Sequence, residues 1–156
     1  NAISLDDGAR LHVKKLTLLA AARGFDANNG AVLRFEDIDF DACGSTHIFA
    51  QNARANAVGN YRITGDAPYH VVAQTRGQIT ISYATITMPS PRNFSGSFVF
   101  AISQAIVEAY SCTFVGSATG SEYYAGVAAI IYKGGGASFP GNAPGGVDTA
   151  SYAIYL

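Results

Sequence analysis

The chain has 156 residues, 49% of them apolar and 13% charged, with a formal net charge of −1 at pH 7, which is the length of one domain with enough apolar material for a continuous core. Its ten Lys and Arg residues form no run, so the sequence offers no positive stripe for a phosphate backbone, and nucleic acid is not an expected partner. Seventeen glycines, nine Tyr and nine Phe against one Met and no Trp favour many short strands and turns, hence an all-β fold.

No segment approaches the roughly 18 to 20 uninterrupted apolar residues of a membrane helix, and no basic stretch followed by an apolar one opens the chain. A soluble protein without membrane insertion is expected. The chain starts at Asn1 rather than Met, which suggests a processed product or an expressed fragment. Cys43 and Cys112 make no disulfide framework and have no zinc-ligand spacing; no metal and no cofactor is expected.

In chain order, one pattern recurs: apolar-x-apolar-x-x-apolar-x-apolar. It reads Leu11, Val13, Leu16, Leu18, then Leu33, Phe35, Ile38, Phe40. Ala55, Ala57, Tyr61 and Ile63 follow with one extra residue near Gly59, which a strand accommodates as a bulge. Ile79, Ile81, Ala84, Ile86 and Val107, Ala109, Cys112, Phe114 complete five copies, with steps of 22, 22, 24 and 28 residues. A shorter signal precedes each copy: Ile3-x-Leu5, Phe25-x-Ala27, Ile48-x-Ala50, Val71-x-Ala73 and Val99-x-Ala101.

Alternating positions face opposite sides of a strand, and the x-x step turns a corner before alternation resumes. Each copy therefore makes three short strands. A single turn cannot bury its apolar face, whereas stacked turns place Leu11 beneath Leu33 and Leu16 beneath Ile38. The expected fold is a short parallel β-helix (β-solenoid) of about five coils of 22–28 residues, right-handed by the general rule for parallel crossovers. Residues 1–116 hold the coils; residues 117–156 form an irregular Gly-rich loop and a C-terminal strand or cap. An antiparallel sandwich has similar strand spacing, but it does not need superimposable copies.

Three stretches carry a family resemblance: Phe40-Asp-Ala-Cys-Gly-Ser-Thr-His-Ile48, Val58-Gly-Asn-Tyr-Arg-Ile-Thr-Gly65, and the region from Gly116-Ser-Ala-Thr-Gly120 to Phe139-Pro-Gly-Asn142. The chain resembles the C-terminal portion of tail-fibre or tailspike-like proteins of bacterial phages and prophages. The resemblance implies a β-helical shaft, usually a homotrimer, carried on a virion or phage-derived tail particle and acting extracellularly on a bacterial surface glycan, which some members also cleave. Members commonly end in a Gly-Gly-Gln-Tyr-like tail; this chain ends Asp148-Thr-Ala-Ser-Tyr-Ala-Ile-Tyr-Leu156, a departure.

The candidate chemistry is sparse. Asp37, Asp39 and Asp41 fall on the outward face of one strand, and Asp39 with Asp41 could serve as acid and base in glycoside hydrolysis. One coil earlier, however, Lys14 lies under Glu36 and Lys15 under Asp37, which reads as cross-coil ion pairing. Lys133, Arg76, Arg92, His12, His47 and His70 are weighed for a lyase; no spacing couples them, and surface roles are expected. Asn28-Asn29-Gly30 reads as a corner. Cys112 takes an inward position as a small hydrophobe, with Cys43 roughly 14 Å away by stacking, too far for a disulfide.

The link from Ile86 to Val99 spans 13 residues where equivalent links span seven or eight. Residues 87–97 are therefore expected to form an excursion, with Arg92, Asn93 and Phe94 suited to sugars. Residues 134–146 read as irregular loop. Tyr123, Tyr124 and Tyr132, with Tyr152 and Tyr155, make the C-terminal end aromatic, for sugar stacking or for capping and subunit packing. Three readings follow: a structural and receptor-recognition segment of a phage-tail-like fibre, a polysaccharide depolymerase (hydrolase or lyase), and a bacterial adhesin passenger. The first, which is not an enzyme, is favoured.

Overall fold

The computed structural model describes residues 1–20, 22–135 and 138–156. Its strands are short, nearly all parallel to a counterpart one coil away, and fall into seven coils. The first coil holds β1 (Ile3–Leu5) and β2 (Arg10–Ala20), the second β3 (Arg23–Asn28) and β4 (Val32–Cys43). The third holds β5 (Thr46–Gln51), β6 (Arg54–Ala57) and β7 (Tyr61–Ile63), and the fourth β8 (Tyr69–Gln74), β9 (Gln78–Thr80) and β10 (Thr85–Thr87). The fifth holds β11 (Arg92–Ala101), β12 (Ile106–Glu108) and β13 (Thr113–Val115). β14 (Ala118–Ala125) with β15 (Ile130–Tyr132), and β16 (Gly146–Val147) with β17 (Ile154–Tyr155), make the sixth and seventh.

These strands build three faces. The first is a seven-stranded sheet in the order β1-β3-β5-β8-β11-β14-β16. The second stacks the front halves of β2 and β4 with β6, β9, β12, β15 and β17; the third stacks their back halves with β7, β10 and β13. The repeat registers as its spacing requires: Leu11 pairs with Leu33, Leu33 with Ala55, Ala55 with Ile79, and Ile79 with Val107. The shorter signal does likewise on the first face, from Ile3 through Phe25, Ile48 and Val71 to Val99.

The coil number is a correction to the expected five. Ile131 pairs with Val107 and Tyr155 with Ile131, and Tyr123 with Val99, so the ladders run on for two coils at about 4.8 Å each, giving a rod about 34 Å long. The octad escapes detection there because the third face ends at β13, leaving these coils only half of the pattern. Within residues 134–146, Gly136 and Ala137 lie outside the described residues; Phe139 is buried and packs against Phe98, Phe114, Tyr123 and Tyr155.

The x-x step has a backbone cause. Its second residue is left-handed in four coils, at Lys15 (φ 54°), Asp37 (φ 53°), Tyr83 (φ 62°) and Ser111 (φ 55°), so one residue bends the strand while its ladder bonds continue; β2 and β4 run straight through this corner. In the third coil the extra residue near Gly59 makes the turn, and a Cβ there would sit 2.9 Å from the Glu36 Cβ. Beyond it the third face slips: Ile63 pairs with Phe40, but Ile86 pairs with Tyr61 rather than Ile63. A slip of two positions preserves which side chains point inward.

Residues 87–97 are not a free excursion. β11 starts at Arg92, pairs with both β8 and β14, and carries a bulge between Asn93 and Ser97 that turns Phe94 into the core. The interior there is aromatic: Phe25, Phe35, Phe40, Tyr61, Phe94 and Phe98 are all buried, with neighbouring rings such as Phe35–Phe40 and Phe94–Phe98 meeting edge to face at 5.8 and 5.3 Å between centroids.

The corner between the first two faces also requires left-handed residues: Asn29 and Gly30, Asn52, Thr75 and Arg76, Ser103 and Gln104, Val127 and Ala128. Asn and Gly tolerate this geometry, whereas a β-branched residue is strained by it. Val127 (φ 50°) is half exposed, so Val127→Asn keeps its backbone bonds while relieving that strain. The expected gain is about 1 kcal/mol, read as a Tm rise of about 2–4 °C in thermal unfolding; an unchanged or lower Tm contradicts this account of the corner.

Candidate functional site

The third face carries a groove of about 410 Å³ across the first four coils. Two outward rows line it. One runs Thr17, Asp39, Arg62, Thr87 through the ladder pairs; beside it lie Lys15, Asp37, Asn60 and Thr85. Asn60 Oδ1 accepts the Thr85 N–H at 2.8 Å. The Arg62 guanidinium grips Asp39 with two bonds, Nε donating to Oδ1 at 2.7 Å and the second nitrogen to Oδ2. This fork holds the Asp39 carboxyl below its ordinary range, so Asp39 stays ionised at neutral pH and cannot donate a proton as a general acid. Asp41 lies outside the groove; its side chain accepts the Ala42 N–H. The two carboxylates are therefore not gathered about one cavity. Sequence reading passed over Arg62 and Asn60, although Arg62 stands one coil beyond Asp39, at the 22-residue offset of Lys14 and Glu36 lengthened to 23 by the extra residue near Gly59.

That Lys14–Glu36 pair is present, and His12 joins it at 3.3 Å. Arg92 donates to the Ser90 carbonyl and approaches Asp66 at 3.9 Å. Asn93 takes the Thr119 hydroxyl on its Oδ1 and gives its N–H to Asp66. Phe94 is wholly buried and presents nothing to a sugar. Tyr123 points inward and stacks on Tyr155 at 3.9 Å between centroids, Tyr124 stacks on Phe100 outside the first face, and Tyr132 meets Tyr110 outside the second. The six residues singled out as glycan contacts thus lie on a corner, in the interior and on two different faces, not around one site. Among the described residues, no three His, Cys, Asp or Glu side chains gather in a metal-binding group, and no helix is long and apolar enough to cross a membrane.

The histidines require a correction. His47 and His70 are not at the surface but fully buried, in consecutive coils, where each precedes an inward position at the entrance to the first face. Their bonds fix the tautomers. His47 Nε2 lies 3.1 Å from the Asp41 carbonyl, which can only accept, so that nitrogen carries the proton and His47 Nδ1 accepts from His70 Nδ1 at 3.1 Å. His70 Nε2 then accepts the Tyr61 hydroxyl at 2.9 Å. The result is a one-way chain across the core, Tyr61 to His70 to His47 to the Asp41 carbonyl, flanked by Phe40, Phe94 and Phe98. Period-2 reading misses it because both histidines sit at a corner, where alternation is interrupted.

Every ring nitrogen in this chain is used, and an added proton has no acceptor. Burial accordingly lowers both imidazoles, His47 to about 4 and His70 well below its ordinary value. Because the folded values lie below the unfolded 6.5, the unfolded chain takes up protons first as pH falls. The stabilisation is complete above about pH 6.5 and is lost progressively below it, by about 3 kcal/mol from His47 alone at pH 4. Denaturant unfolding across this window should show that loss. Replacing the chain as a unit, with His47→Leu, His70→Phe and Tyr61→Phe, should flatten the slope; an equally steep slope in that variant contradicts the assignment.

No protein-family model, curated protein or solved structure matches this chain.

Proposed function

We propose that this chain is a structural and receptor-recognition segment of a phage-tail-like fibre or spike, a right-handed rod that binds bacterial surface polysaccharide on its outer faces. The observation that carries this reading is the groove on the third face. Its Lys15, Asn60, Arg62 and Thr87 side chains stand in two rows, each advancing by one coil, about 4.8 Å. A row of donors and acceptors at constant spacing suits an extended polymer of repeating units better than a single small molecule. The ladders hold it rigid, so little ordering entropy opposes binding.

Binding is favoured over cleavage because hydrolysis needs one carboxyl that retains a proton near neutral pH, and Asp39 is clamped in its ionised form by Arg62. In this setting the rod acts extracellularly on the virion or tail particle as a homotrimer. The Phe100–Tyr124 stack outside the first face supplies apolar surface for subunit packing.

Affinity electrophoresis against a panel of purified acidic and neutral capsular polysaccharides tests the reading, with reducing-end assays run in parallel. The expected result is retardation by at least one polymer without release of reducing ends. Thr87→Ala combined with Asn60→Ala should weaken binding about tenfold, as expected for the loss of two hydrogen-bonding groups. Retardation by none of the polymers removes the recognition reading, and release of reducing ends replaces it with a depolymerase.

A further inference from the structure

The basic residues that form no run in the sequence are gathered by the coils. Arg10 and Arg54 occupy one outward row of the second face, separated by Val32, and Arg34 occupies the next row, between His12 and Asn56. Arg76 stands at the corner that leads into β9. All four arginines are exposed, and among the described residues none lies within ion-pair distance of a carboxylate, whereas Lys14, Arg23, Arg62 and Arg92 each do. Two carboxylates of this face are engaged, Glu36 by Lys14 and His12 and Glu108 by Gln78 and Thr80, while Asp6 and Asp7 are exposed at the first-coil end of the corner that carries Arg76.

The surface between these arginines is concave. One depression, of about 640 Å³, runs from Arg10 and Arg34 to Tyr83 and Tyr110; a second, of about 400 Å³, shares Arg10 and adds Arg54 and Arg76. Tyr83 is largely exposed and is braced edge-on by Tyr110 at 4.9 Å between centroids, which leaves an aromatic surface for a pyranose ring. Ser82 lines the larger depression. Its buried Oγ has no hydrogen-bond partner, the one such side-chain atom among the described residues.

We propose that the second face is a second polysaccharide site, selective for an anionic glycan whose carboxylates are taken by Arg10, Arg34, Arg54 and Arg76 while Tyr83 stacks on a ring. This inference rests on the glycan-binding reading above and adds the ligand's charge. Arg10 and Arg54 are two coils apart, about 10 Å, a separation suited to a polymer in which alternate sugars are acidic. Duplex DNA carries a charge about every 1.7 Å and is held by a dense basic stripe, which four arginines on a chain of net charge −1 do not provide.

The test uses the whole chain, acidic and neutral capsular polysaccharides, and random-sequence duplex DNA, with affinities measured at low and at physiological ionic strength. The acidic polymers should bind at least tenfold more tightly than the neutral ones, with an affinity that falls as salt rises. Arg34→Gln and Arg54→Gln should each weaken binding about two- to fivefold, as for a lost exposed ion pair. Lys133→Gln, which removes the same charge in the sixth coil, should not. Neutral polymers bound as tightly as acidic ones, or no effect of either arginine variant, overturns the anionic site while leaving glycan recognition standing. Binding to none of the polysaccharides overturns both, and DNA bound more tightly than every glycan replaces the ligand class.

Discussion

Every feature of this molecule depends on the hydrogen bonding between one coil and the next. A parallel strand cannot satisfy its own N–H and C=O groups, so each coil borrows the backbone of its neighbours, and the register of that borrowing decides which side chains share a row. The inward rows become the core. The outward rows become charge pairs such as Lys14 with Glu36 and Asp39 with Arg62, or clusters of like charge such as the four arginines of the second face. Function here is a matter of what the period places one coil apart, more than of what the chain places side by side.

The interior adds a constraint of its own. Rings of the second coil (Phe25, Phe35, Phe40), the third (Tyr61) and the fifth (Phe94, Phe98) meet among the aliphatic side chains of the core, and the polar chain through Tyr61, His70 and His47 is inserted between them. Such a chain is tolerable only because each nitrogen and the hydroxyl are used, and because its end is a backbone carbonyl of fixed polarity. It links the strand behind the third-face groove to the corner entering the first face, and it ties the stability of the rod to pH in the range from about 4 to 6.5.

The fold was legible to the degree that the period was intact. The apolar octad and the shorter signal before it identified eight of the ladder contacts of the second and first faces residue by residue, from Leu11 over Leu33 to Val99 over Val71. Detection failed where a coil loses a face: Ile131 and Tyr155 continue the row at steps of 24 residues, but only half of the octad surrounds them. Corners were the second blind spot. Residues 87–97 look like an excursion by length alone, yet a bulge folds them back into β11; and His47 and His70 look exposed because alternation is undefined where the chain turns. The arginine face was visible in principle, since positions 10, 34, 54 and 76 recur at nearly one coil or two. It is missed when charge is scanned along the chain rather than down the coils.

We propose that coil stacking, rather than chain proximity, assembles the surface that meets a polymer. The most direct measurement is an NMR titration of the arginine Nε–Hε resonances with an acidic capsular oligosaccharide. The account predicts that Arg10, Arg34, Arg54 and Arg76 shift together with one saturation curve, while Arg23, which is held by Asp26 and lies over the Phe49 ring, does not. Shifts confined to one of the four, or spread equally over all arginines, would contradict it.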